Sequence, residues 1–453
     1  MRKLFLILIY FPILILAQDI HSEKKDNFSN NQRCLSDQDR FLIFNEIKEN
    51  LKIIKSHEGI FNKNQSTSFE WVLKKDTSLI YNNYYGISNF VDHDTSSSLL
   101  DYNCLSRTYD GHKGTDIFTW PFPWYLYNND YIDVISGTDG IIINKHDGND
   151  DNHCASTAGG NWNAVYIQHF DGSIAWYGHL KKNSLTSKTV GQSVIKGEYL
   201  GKVASSGNST GPHLHLEVYD SSNNLIDPFQ GVCNSLNSNS WWFNQRNFRE
   251  PTLNTLLTHH SKPIHDCPSV NEKPNFSNNF TIGDTVFLAA YYSDREAGDS
   301  AIYRVKDPSN TIWNSWIQVS SSTYNASWYY WKRVLPSNGP FGLWSFEIDF
   351  HGDTYTHEFQ YGRSDWWCIG GVAGYLCTQS PTQPSGTLVS GPYNDSLVCA
   401  TNCIATNILD HGNISNRKRI KVINVLGKET KGRNQLLFYI YDDGTVEKRI
   451  TVE

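Results

Sequence analysis

A short run with strict alternation, Gly-Pro-His213-Leu-His215-Leu-Glu, constrains the fold of this 453-residue chain more than any other feature. Successive side chains of a β-strand point to opposite faces of the sheet. His213 and His215 are therefore expected on one face of a strand, while Leu214 and Leu216 point the other way into a core. The sequence thus predicts a β-sheet with one apolar face and one face that presents two imidazoles.

A second run, Gly-His112-Lys-Gly-Thr-Asp116, lies earlier in the chain. Its glycines at 111 and 114 disfavour a helix, so we interpret His112 and Asp116 as an i, i+4 pair on one face of an extended segment. Both runs would then present their polar side chains on a common face.

The residues between these runs have the pattern of small antiparallel β-structure. Two β-rich stretches flank an Asp171-Gly172 turn, which is a strong hairpin signal, and His179 stands at the far end of that hairpin. Short apolar runs interrupted by glycine follow from residue 190 to the His-Leu-His strand.

Four motifs in order give this region a family resemblance. His-Lys-Gly-Thr-Asp, Tyr-Gly-His-Leu, Gly-Gln-Ser-Val-Ile-Lys-Gly and Ser-Thr-Gly-Pro-His-Leu-His-Leu-Glu-Val together resemble the lysostaphin-type (LytM-like) zinc metalloendopeptidases, over about residues 86–232. The resemblance implies that His112, Asp116 and His215 are ligands of one catalytic Zn²⁺ ion. It also implies that His179 and His213 are the catalytic histidines.

The residue types agree with this implied chemistry. A catalytic zinc ion takes three protein ligands and keeps a fourth position for water. No His-Glu-x-x-His helix supplies a glutamate base, so we assign His213 as general base and His179 as the group that stabilises the oxyanion or transfers the proton. The residues leave open which histidine has which role. The other polar residues of the region, His146, Asp150, His153 and His169, are assigned no role and are expected in a polar loop or on the outer face of the hairpin.

The N-terminal segment predicts export. Met1-Arg-Lys precedes an apolar stretch that ends at Ala17, which is typical of a cleaved signal peptide, and no later run is long enough to span a membrane. Nine cysteines fit an oxidising compartment and predict disulfides, with one thiol left free or intermolecular. A second zinc site made by the four C-terminal cysteines is the alternative for those residues. A helix is expected from Asp37 to Ile54 with Ser36 as its cap.

The C-terminal half predicts further β-domains. Strand-like runs at 276–361 suggest a β-sandwich of jelly-roll or immunoglobulin-like kind, in which one aromatic pair of Trp328-Tyr-Tyr-Trp331 could be exposed for stacking. Residues 405–453 resemble the C-terminal sorting domain of the type IX secretion system of Bacteroidetes, although the Asn-Pro that often opens such domains is missing. That resemblance implies the type IX secretion machinery as a partner.

The expected fold class is mainly β: a small antiparallel β-sheet metallopeptidase domain, a β-sandwich domain and a C-terminal β-module, with a partly helical N-terminal segment. The expected parts are 1–17 signal peptide, 18–85 N-terminal segment, 86–232 peptidase domain, 233–275 connector, 276–361 β-sandwich, 362–404 Cys-containing linker and 405–453 sorting domain. Residues 18–85 are either a pro-region that covers the active-site groove or a simple packing layer. Asn89 or Asn103 could supply the fourth, inhibitory zinc ligand that some members of the family have.

Charge and composition narrow the function classes. A net charge of −7 without basic clusters argues against nucleic acid as a partner. The sequence predicts a secreted or cell-surface zinc metalloendopeptidase that cuts peptide bonds in peptidoglycan cross-links or stems. The alternatives are a secreted protease for Gly-rich proteins such as elastin, and a non-catalytic protein that binds cell wall or activates an amidase. Non-catalytic relatives lose zinc ligands, whereas this chain keeps the full set.

Overall fold

The computed structural model describes residues 21–24, 34–55, 67–155, 157–267, 270–362, 365–371, 374–380, 387–393, 399–400, 403, 419–424, 428–430, 436–442 and 446–450. The chain divides into two compact units, residues 1–362 and 363–453. The predicted signal peptide at 1–17 lies outside the described residues.

The first unit is mainly β, as predicted. Its two described helices are α1 (Asp37–Lys55) and α2 (Pro123–Asn128). Its strands up to the end of the predicted peptidase domain are β1 (His21–Lys24), β2 (Leu73–Lys75), β3 (Tyr85–Asn89), β4 (Thr115–Thr119), β5 (Ile132–Ile135), β6 (Gly140–His146), β7 (Ala164–His169), β8 (Ile174–Gly178), β9 (Ser193–Val194), β10 (Tyr199–Lys202), β11 (His213–Tyr219) and β12 (Leu225–Ile226). The remaining strands of the unit are β13 (Thr252–His259), β14 (Asn279–Phe280), β15 (Thr285–Ser293), β16 (Ser300–Lys306), β17 (Ile312–Val319), β18 (Ala326–Val334), β19 (Gly342–Phe350) and β20 (Asp353–Tyr361).

One antiparallel sheet brings the sequence motifs side by side. Its strand order is β3-β4-β11-β8-β7-β6-β9, with β12 paired to β11, and a small sheet β10-β5-β2 accompanies it. In this register His215 on β11 stands opposite Asp116 on β4 and opposite Gly178 on β8. The predicted hairpin around Asp171-Gly172 is β7-β8, and Gly172 has a φ of 90° at its turn. Strand pairing thus places the three polar motifs next to each other.

The two faces of β11 are buried in different ways. Leu214 and Leu216 are fully buried in the largest apolar core, which confirms the alternation read from the sequence. The opposite face continues from the histidines to Tyr219, and helix α1 packs there through Ile43 and Ile47. The helix begins and ends within a residue of its predicted bounds.

The helix cap is reciprocal. Ser36 Oγ accepts the backbone N–H of Asp39 at 3.1 Å, and the Asp39 carboxylate accepts the backbone N–H of Ser36 at 2.9 Å. This arrangement satisfies two backbone donors at the helix start. It therefore fixes the start of α1 at Asp37, directly after the cap residue Ser36.

The predicted β-sandwich is present and begins earlier than expected. One sheet has the order β1-β18-β15-β13, and the facing sheet has the order β14-β20-β19-β16-β17. Strand β13 lies within the segment 233–275 that the sequence suggested was a connector. It pairs with β15 from Thr252 to His259 and is buried along most of its length, so this part of the segment belongs to the sandwich.

The aromatic strand β18 is buried on both faces, so the prediction of an exposed aromatic pair is wrong. Trp328 and Tyr330 pack into the core shared with the peptidase sheet, whereas Tyr329 and Trp331 pack into the core between the two sandwich sheets. None of the four residues is more than 6% exposed. Alternation was read correctly, but the sequence did not reveal that both sides of this sheet are covered.

The described residues of the second unit form two three-stranded antiparallel sheets. Their strands are β21 (Asp365–Gly371), β22 (Gly374–Ser380), β23 (Thr387–Tyr393), β24 (Arg419–Asn424), β25 (Leu436–Tyr441) and β26 (Val446–Ile450), in the orders β22-β21-β23 and β24-β25-β26. The segment 362–404, expected to be a linker, therefore contains a sheet. Among the described helices of the chain, none is long and apolar enough to cross a membrane.

The cysteines form disulfides, as predicted. The pairs are Cys104–Cys233, Cys154–Cys267, Cys368–Cys403 and Cys377–Cys399, and Cys34 keeps a free thiol. The alternative of a second zinc site at the four C-terminal cysteines does not hold, because their sulfur atoms are bonded to one another.

Candidate active site

Three polar residues from two motifs converge on one buried point. His112 Nε2 lies 3.2 Å from Asp116 Oδ2 and 3.3 Å from His215 Nδ1, and His215 Nδ1 lies 2.8 Å from Asp116 Oδ1. Each of the three residues is at most 3% exposed. Asp116 and His215 are on paired strands, whereas His112 lies in the loop before β4 and not within an extended segment as predicted.

Hydrogen bonds fix which ring nitrogen of each histidine faces this point. His112 Nδ1 donates to the Phe90 carbonyl at 2.7 Å, which leaves Nε2 as the atom with a lone pair. His215 Nε2 donates to Glu217 Oε2 at 3.0 Å, which leaves Nδ1. Two nitrogen lone pairs and a carboxylate therefore face each other, and this arrangement calls for a cation between them.

The donor set fits a zinc ion. Tetrahedral ligands at about 2.1 Å from zinc are roughly 3.4 Å from one another. The separations of 3.2 and 3.3 Å from His112 lie close to that value, whereas His215 and Asp116 are 2.8 Å apart and would have to separate slightly around the ion. A carboxylate that holds the second nitrogen of a ligating imidazole, as Glu217 does for His215, is a frequent feature of zinc sites.

Electrostatics distinguish these residues from ordinary buried histidines. Burial lowers the pKa of His112, but the nearby Asp116 carboxylate outweighs burial and raises that pKa to about 9. Burial has the opposite effect on the carboxyl group of Glu217 and raises its pKa. The charge of Arg40 and the hydrogen bond from His215 outweigh burial and lower that pKa to about 2. Glu217 is therefore a carboxylate at neutral pH and can orient His215.

The two histidines predicted to be catalytic stand next to each other. The ring centroids of His179 and His213 are 4.4 Å apart. His179 Nδ1 donates to the Ser206 carbonyl at 2.6 Å and His213 Nδ1 donates to the Gly211 carbonyl at 2.8 Å. The Nε2 atom of each ring is left as a proton acceptor, and that of His213 lies 3.6 Å from Asp116 Oδ1.

These two histidines differ in proton affinity. Burial, and then the neighbouring His213, lower the pKa of His179. Burial also lowers the pKa of His213, but interactions with Cys34 and the Asp116 carboxylate more than offset it and raise that pKa. His213 is partly exposed, with 13% of its side chain accessible, whereas His179 is fully buried.

Local packing accounts for two features of the motifs. A Cβ atom at Gly114 would lie 2.6 Å from the His215 ring, so a side chain at this position would collide with the site. The Trp162 ring packs against both His179 and His215, with centroid distances of 5.3 and 5.8 Å. These contacts restrict the orientations of the two imidazoles.

The residues given no role lie mostly outside the site. His146 contacts Glu46 of α1 and Tyr166, and Asp150 pairs with Lys182. His153 Nδ1 donates to the Gly207 carbonyl at 2.6 Å. His169 is fully buried and donates to the Asp139 carbonyl, so its expected place on an outer face was wrong.

Comparison with known proteins gives this region a family. Residues 111–228 match the model of Peptidase family M23. Residues 111–228 are similar to an M23 peptidase domain. The matched range holds every one of the five predicted site residues.

Curated relatives cover part of the same region. The chain is 49% identical over 85 residues to the DD-carboxypeptidase/endopeptidase Mpg of Neisseria meningitidis serogroup B, and equally so to Mpg of Neisseria gonorrhoeae. That stretch is 19% of this chain and 16% of each relative. Among solved structures, a mutant catalytic domain of the prophage-encoded M23 protein EnpA from Enterococcus faecalis aligns at 19% identity and a TM-score of 0.22, over 34% of this chain and 93% of that one.

Sequence reasoning missed several groups around the M23 site. Glu217 continues the alternation of His213 and His215, and that pattern could have placed it on the polar face. Asn89, considered above as an inhibitory ligand, donates to Asp116 Oδ2 at 3.0 Å, whereas Asn103 lies in a turn where its backbone N–H bonds Asp101. Cys34 also reaches the site, and the only signal for it was the odd number of cysteines.

Proposed function

We propose that the protein is a secreted zinc metalloendopeptidase that hydrolyses peptide bonds in peptidoglycan cross-links or stems. The observation that carries the proposal is the convergence of His112, Asp116 and His215 around one point, with two further histidines beside it. An M23 domain that only bound cell wall or activated another enzyme would not need this complete set.

The residues suggest a division of labour. His112, Asp116 and His215 would hold the zinc ion, which would supply a Lewis acid for the scissile carbonyl and would lower the pKa of water toward neutrality. His213 Nε2, the more accessible acceptor and the one near Asp116, takes the proton of that water. His179 is the partner that stabilises the developing oxyanion or transfers the proton, and its bond to the Ser206 carbonyl fixes its orientation.

The substrate proposal draws on the relatives and on the shape of the site. The Mpg proteins are described as DD-carboxypeptidases/endopeptidases. In this chain a cleft lined by Asn89, Phe118, Ser209 and His213 leads to the site. A narrow cleft with amide and hydroxyl groups suits a peptide backbone with small side chains such as D-alanine or glycine.

Mass spectrometry of released fragments tests this proposal. Zinc-loaded protein is incubated separately with purified Gram-negative sacculi, pentaglycine-bridged sacculi and elastin, with His215→Ala as the matched inactive variant. We expect new peptide termini in cross-links or stems and intact glycan strands. Release from elastin alone would favour a protease for Gly-rich proteins. No release from any substrate, whether or not the residues through Lys55 have been removed, would contradict the enzymatic proposal.

We also propose export by a signal peptide and the type IX machinery, with a secreted or surface-bound product. Four disulfides suit an oxidising compartment, and β24, β25 and β26 form a three-stranded antiparallel sheet within the segment that resembles a sorting domain in sequence. Terminal peptide mapping of the exported protein tests this. We expect a new N-terminus after Ala17 and loss of the residues from about 405 onward, and an unprocessed C-terminus would argue against the sorting domain.

A further inference from the structure

The N-terminal segment places a thiol at the zinc site. Cys34 Sγ lies 3.6 Å from His215 Nδ1 and 2.9 Å from the Tyr109 hydroxyl. One donor atom from each of Cys34, His112, Asp116 and His215 lies within 4.8 Å of the others. The sulfur is therefore placed where a fourth ligand of the same ion would be.

The same sulfur also lies beside the histidines proposed to be catalytic. Donor atoms of Cys34, His179 and His213 form a second group within 4.8 Å. His179 is fully buried, and its Nε2 atom has no hydrogen-bond partner among the described residues. Cys34 thus occupies the space between the zinc ligands and the two proton acceptors, which is where water and the scissile carbonyl would have to enter.

This thiol is chemically distinct from every other cysteine. The remaining eight cysteines are joined in four disulfides, so Cys34 is the one thiol available to a metal. Thiolate sulfur is among the ligands zinc prefers, and a fourth protein ligand converts an open catalytic site into a closed one.

Several anchors hold Cys34 in this position. The neighbouring Leu35 is buried, and its carbonyl accepts Arg40 Nη1 at 2.7 Å. Arg40 is bound to both oxygens of Glu217, at 2.8 and 3.0 Å, and Glu217 is the residue that orients His215. Lys113, next to His112, pairs with Asp37 at 2.8 Å.

Helix α1 also attaches the N-terminal segment to the peptidase sheet. Ile43, Ile47 and Ile54 of α1 are buried against Trp162, Trp176 and Tyr219 of the peptidase sheet. Leu35, Arg40 and α1 therefore dock on the same face that carries the site, and they fix the sulfur above it.

We propose that Cys34 is the fourth zinc ligand and keeps the peptidase latent until the segment 34–55 is displaced or removed. This inference rests on the function proposed above. On engagement the thiol loses its proton to solvent and its sulfur bonds the ion, which leaves no position for water. On release the zinc–sulfur bond breaks, the sulfur regains a proton, and water can enter.

Cobalt substitution tests the bond directly in the full-length protein. Co²⁺ replaces Zn²⁺, and a thiolate ligand gives an intense sulfur-to-cobalt charge-transfer absorption in the near ultraviolet that nitrogen and oxygen ligands do not give. We expect this band in the unmodified chain, its loss in Cys34→Ala, and its retention in the matched control Ser36→Ala, which loosens the helix cap but keeps the thiol. Absence of the band in the unmodified chain would overturn the proposal.

Thiol reactivity gives a second readout that requires no variant. With Ellman's reagent, the Cys34 thiolate attacks the reagent disulfide, forms a mixed disulfide and releases one thionitrobenzoate. We expect one reactive thiol per unfolded chain and one in the metal-free chain, with the folded reaction at least about tenfold slower once zinc is bound. Equal reaction rates of Cys34 with and without zinc would contradict ligation of the ion by Cys34. This test uses only the unmodified chain, so it holds even if Cys34→Ala fails to fold.

Activity then separates latency from the proposed function. If Cys34 is bound to the zinc ion in nine molecules out of ten, Cys34→Ala should release peptides from sacculi about tenfold faster than the unmodified chain. A sulfur-to-cobalt band with no hydrolysis by either protein would contradict the proposed function and leave Cys34 ligation established. Hydrolysis at the same rate by both proteins would instead contradict the proposal that Cys34 keeps the peptidase latent.

Discussion

Two buried clusters in the first unit show what distinguishes a metal site from a packed core. The first is His112, Asp116 and His215 in the peptidase region, and the second is His259 with Pro274 and Tyr291 in the sandwich. In the peptidase sheet, His112 and His215 face Asp116, and the carboxylate raises the pKa of His112 to about 9 against the effect of burial. In the sandwich, His259 is also fully buried, but its Nδ1 donates to the Pro274 carbonyl and its Nε2 accepts the Tyr291 hydroxyl. Burial lowers the pKa of His259 to about 3, together with the charges of His357 and His260 and against the opposing effect of the hydrogen bond to Pro274.

The comparison shows that burial by itself lowers the pKa of a histidine and keeps the ring neutral, as at His259, where neutral partners bind both ring nitrogens. The His259 nitrogens each have a neutral partner, so they have no lone pair or charge left for a ligand. At the peptidase site the lone pairs of two rings point at each other and at a carboxylate. Either a proton, as the raised pKa of His112 reflects, or a metal ion relieves that arrangement, and so the convergence of donors, and not the density of histidine, marks the site.

The largest expected effect is loss of the metal itself. His215→Ala removes a ligand and should abolish both zinc binding and turnover, with activity reduced at least about 10³-fold. His259→Gln, in the other cluster, should keep one zinc per chain. Elemental analysis of both purified variants checks this. Full zinc occupancy in His215→Ala would break the distinction drawn between the clusters.

His213→Ala should affect chemistry without affecting the metal. Its Nε2 is the accessible proton acceptor, so we expect kcat to fall about 10²- to 10⁴-fold while zinc content is unchanged. Steady-state kinetics with metal analysis checks the result, with His351→Ala as a control, since His351 is exposed in the sandwich. A zinc-free His213→Ala protein would make His213 a ligand and contradict the assigned roles.

These comparisons also show which parts of the molecule were predictable. Alternation in residues 213–216 predicted a strand with an apolar and a polar face, and the Asp-Gly turn predicted the hairpin, because both signals are local. Helix α1 was predicted for the same reason, since Ser36 and the apolar spacing act within a few residues. The resemblance of four motifs named the five site residues, and the structure brings all five together.

Long-range contacts were not predictable from one sequence. The strand β13, Thr-Leu-Asn-Thr-Leu-Leu-Thr-His, has no clear alternation of apolar and polar residues, and its pairing with β15 depends on residues far along the chain. The aromatic residues of β18 alternate as expected, but covering by the peptidase sheet on one side leaves neither pair exposed. Cys34 is separated from His215 by 181 positions, so no local pattern could place it at the site.

The two clusters should also differ in how acid affects the fold. The pKa of His259 is lowered to about 3, so the unfolded chain, with an ordinary pKa of about 6.5, binds this proton first as the pH falls. Stability should therefore decrease between about pH 6.5 and pH 3, by up to about 1.4 kcal/mol per pH unit from this residue and on the order of 4 kcal/mol in total. Above pH 6.5 the contribution is constant.

Urea unfolding at a series of pH values checks this expectation. His259→Gln cannot take up the proton, so its unfolding free energy should fall less steeply below pH 6.5 than that of the unmodified chain. His351→Ala serves as the control, since it lies in the same sandwich but is exposed. Parallel curves for His259→Gln and the unmodified chain would contradict a depressed pKa.

The smallest expected effect comes from giving His215 the kind of neutral partner that His259 has. Glu217→Gln keeps the size of the side chain and an acceptor for His215 Nε2, but it removes the charge that Arg40 and His215 share. Loss of such an orienting carboxylate typically weakens zinc binding about 10- to 100-fold. Competition with a zinc chelator measures the change, and unchanged affinity would mean that the Asp116 carboxylate alone accounts for the difference between the two clusters.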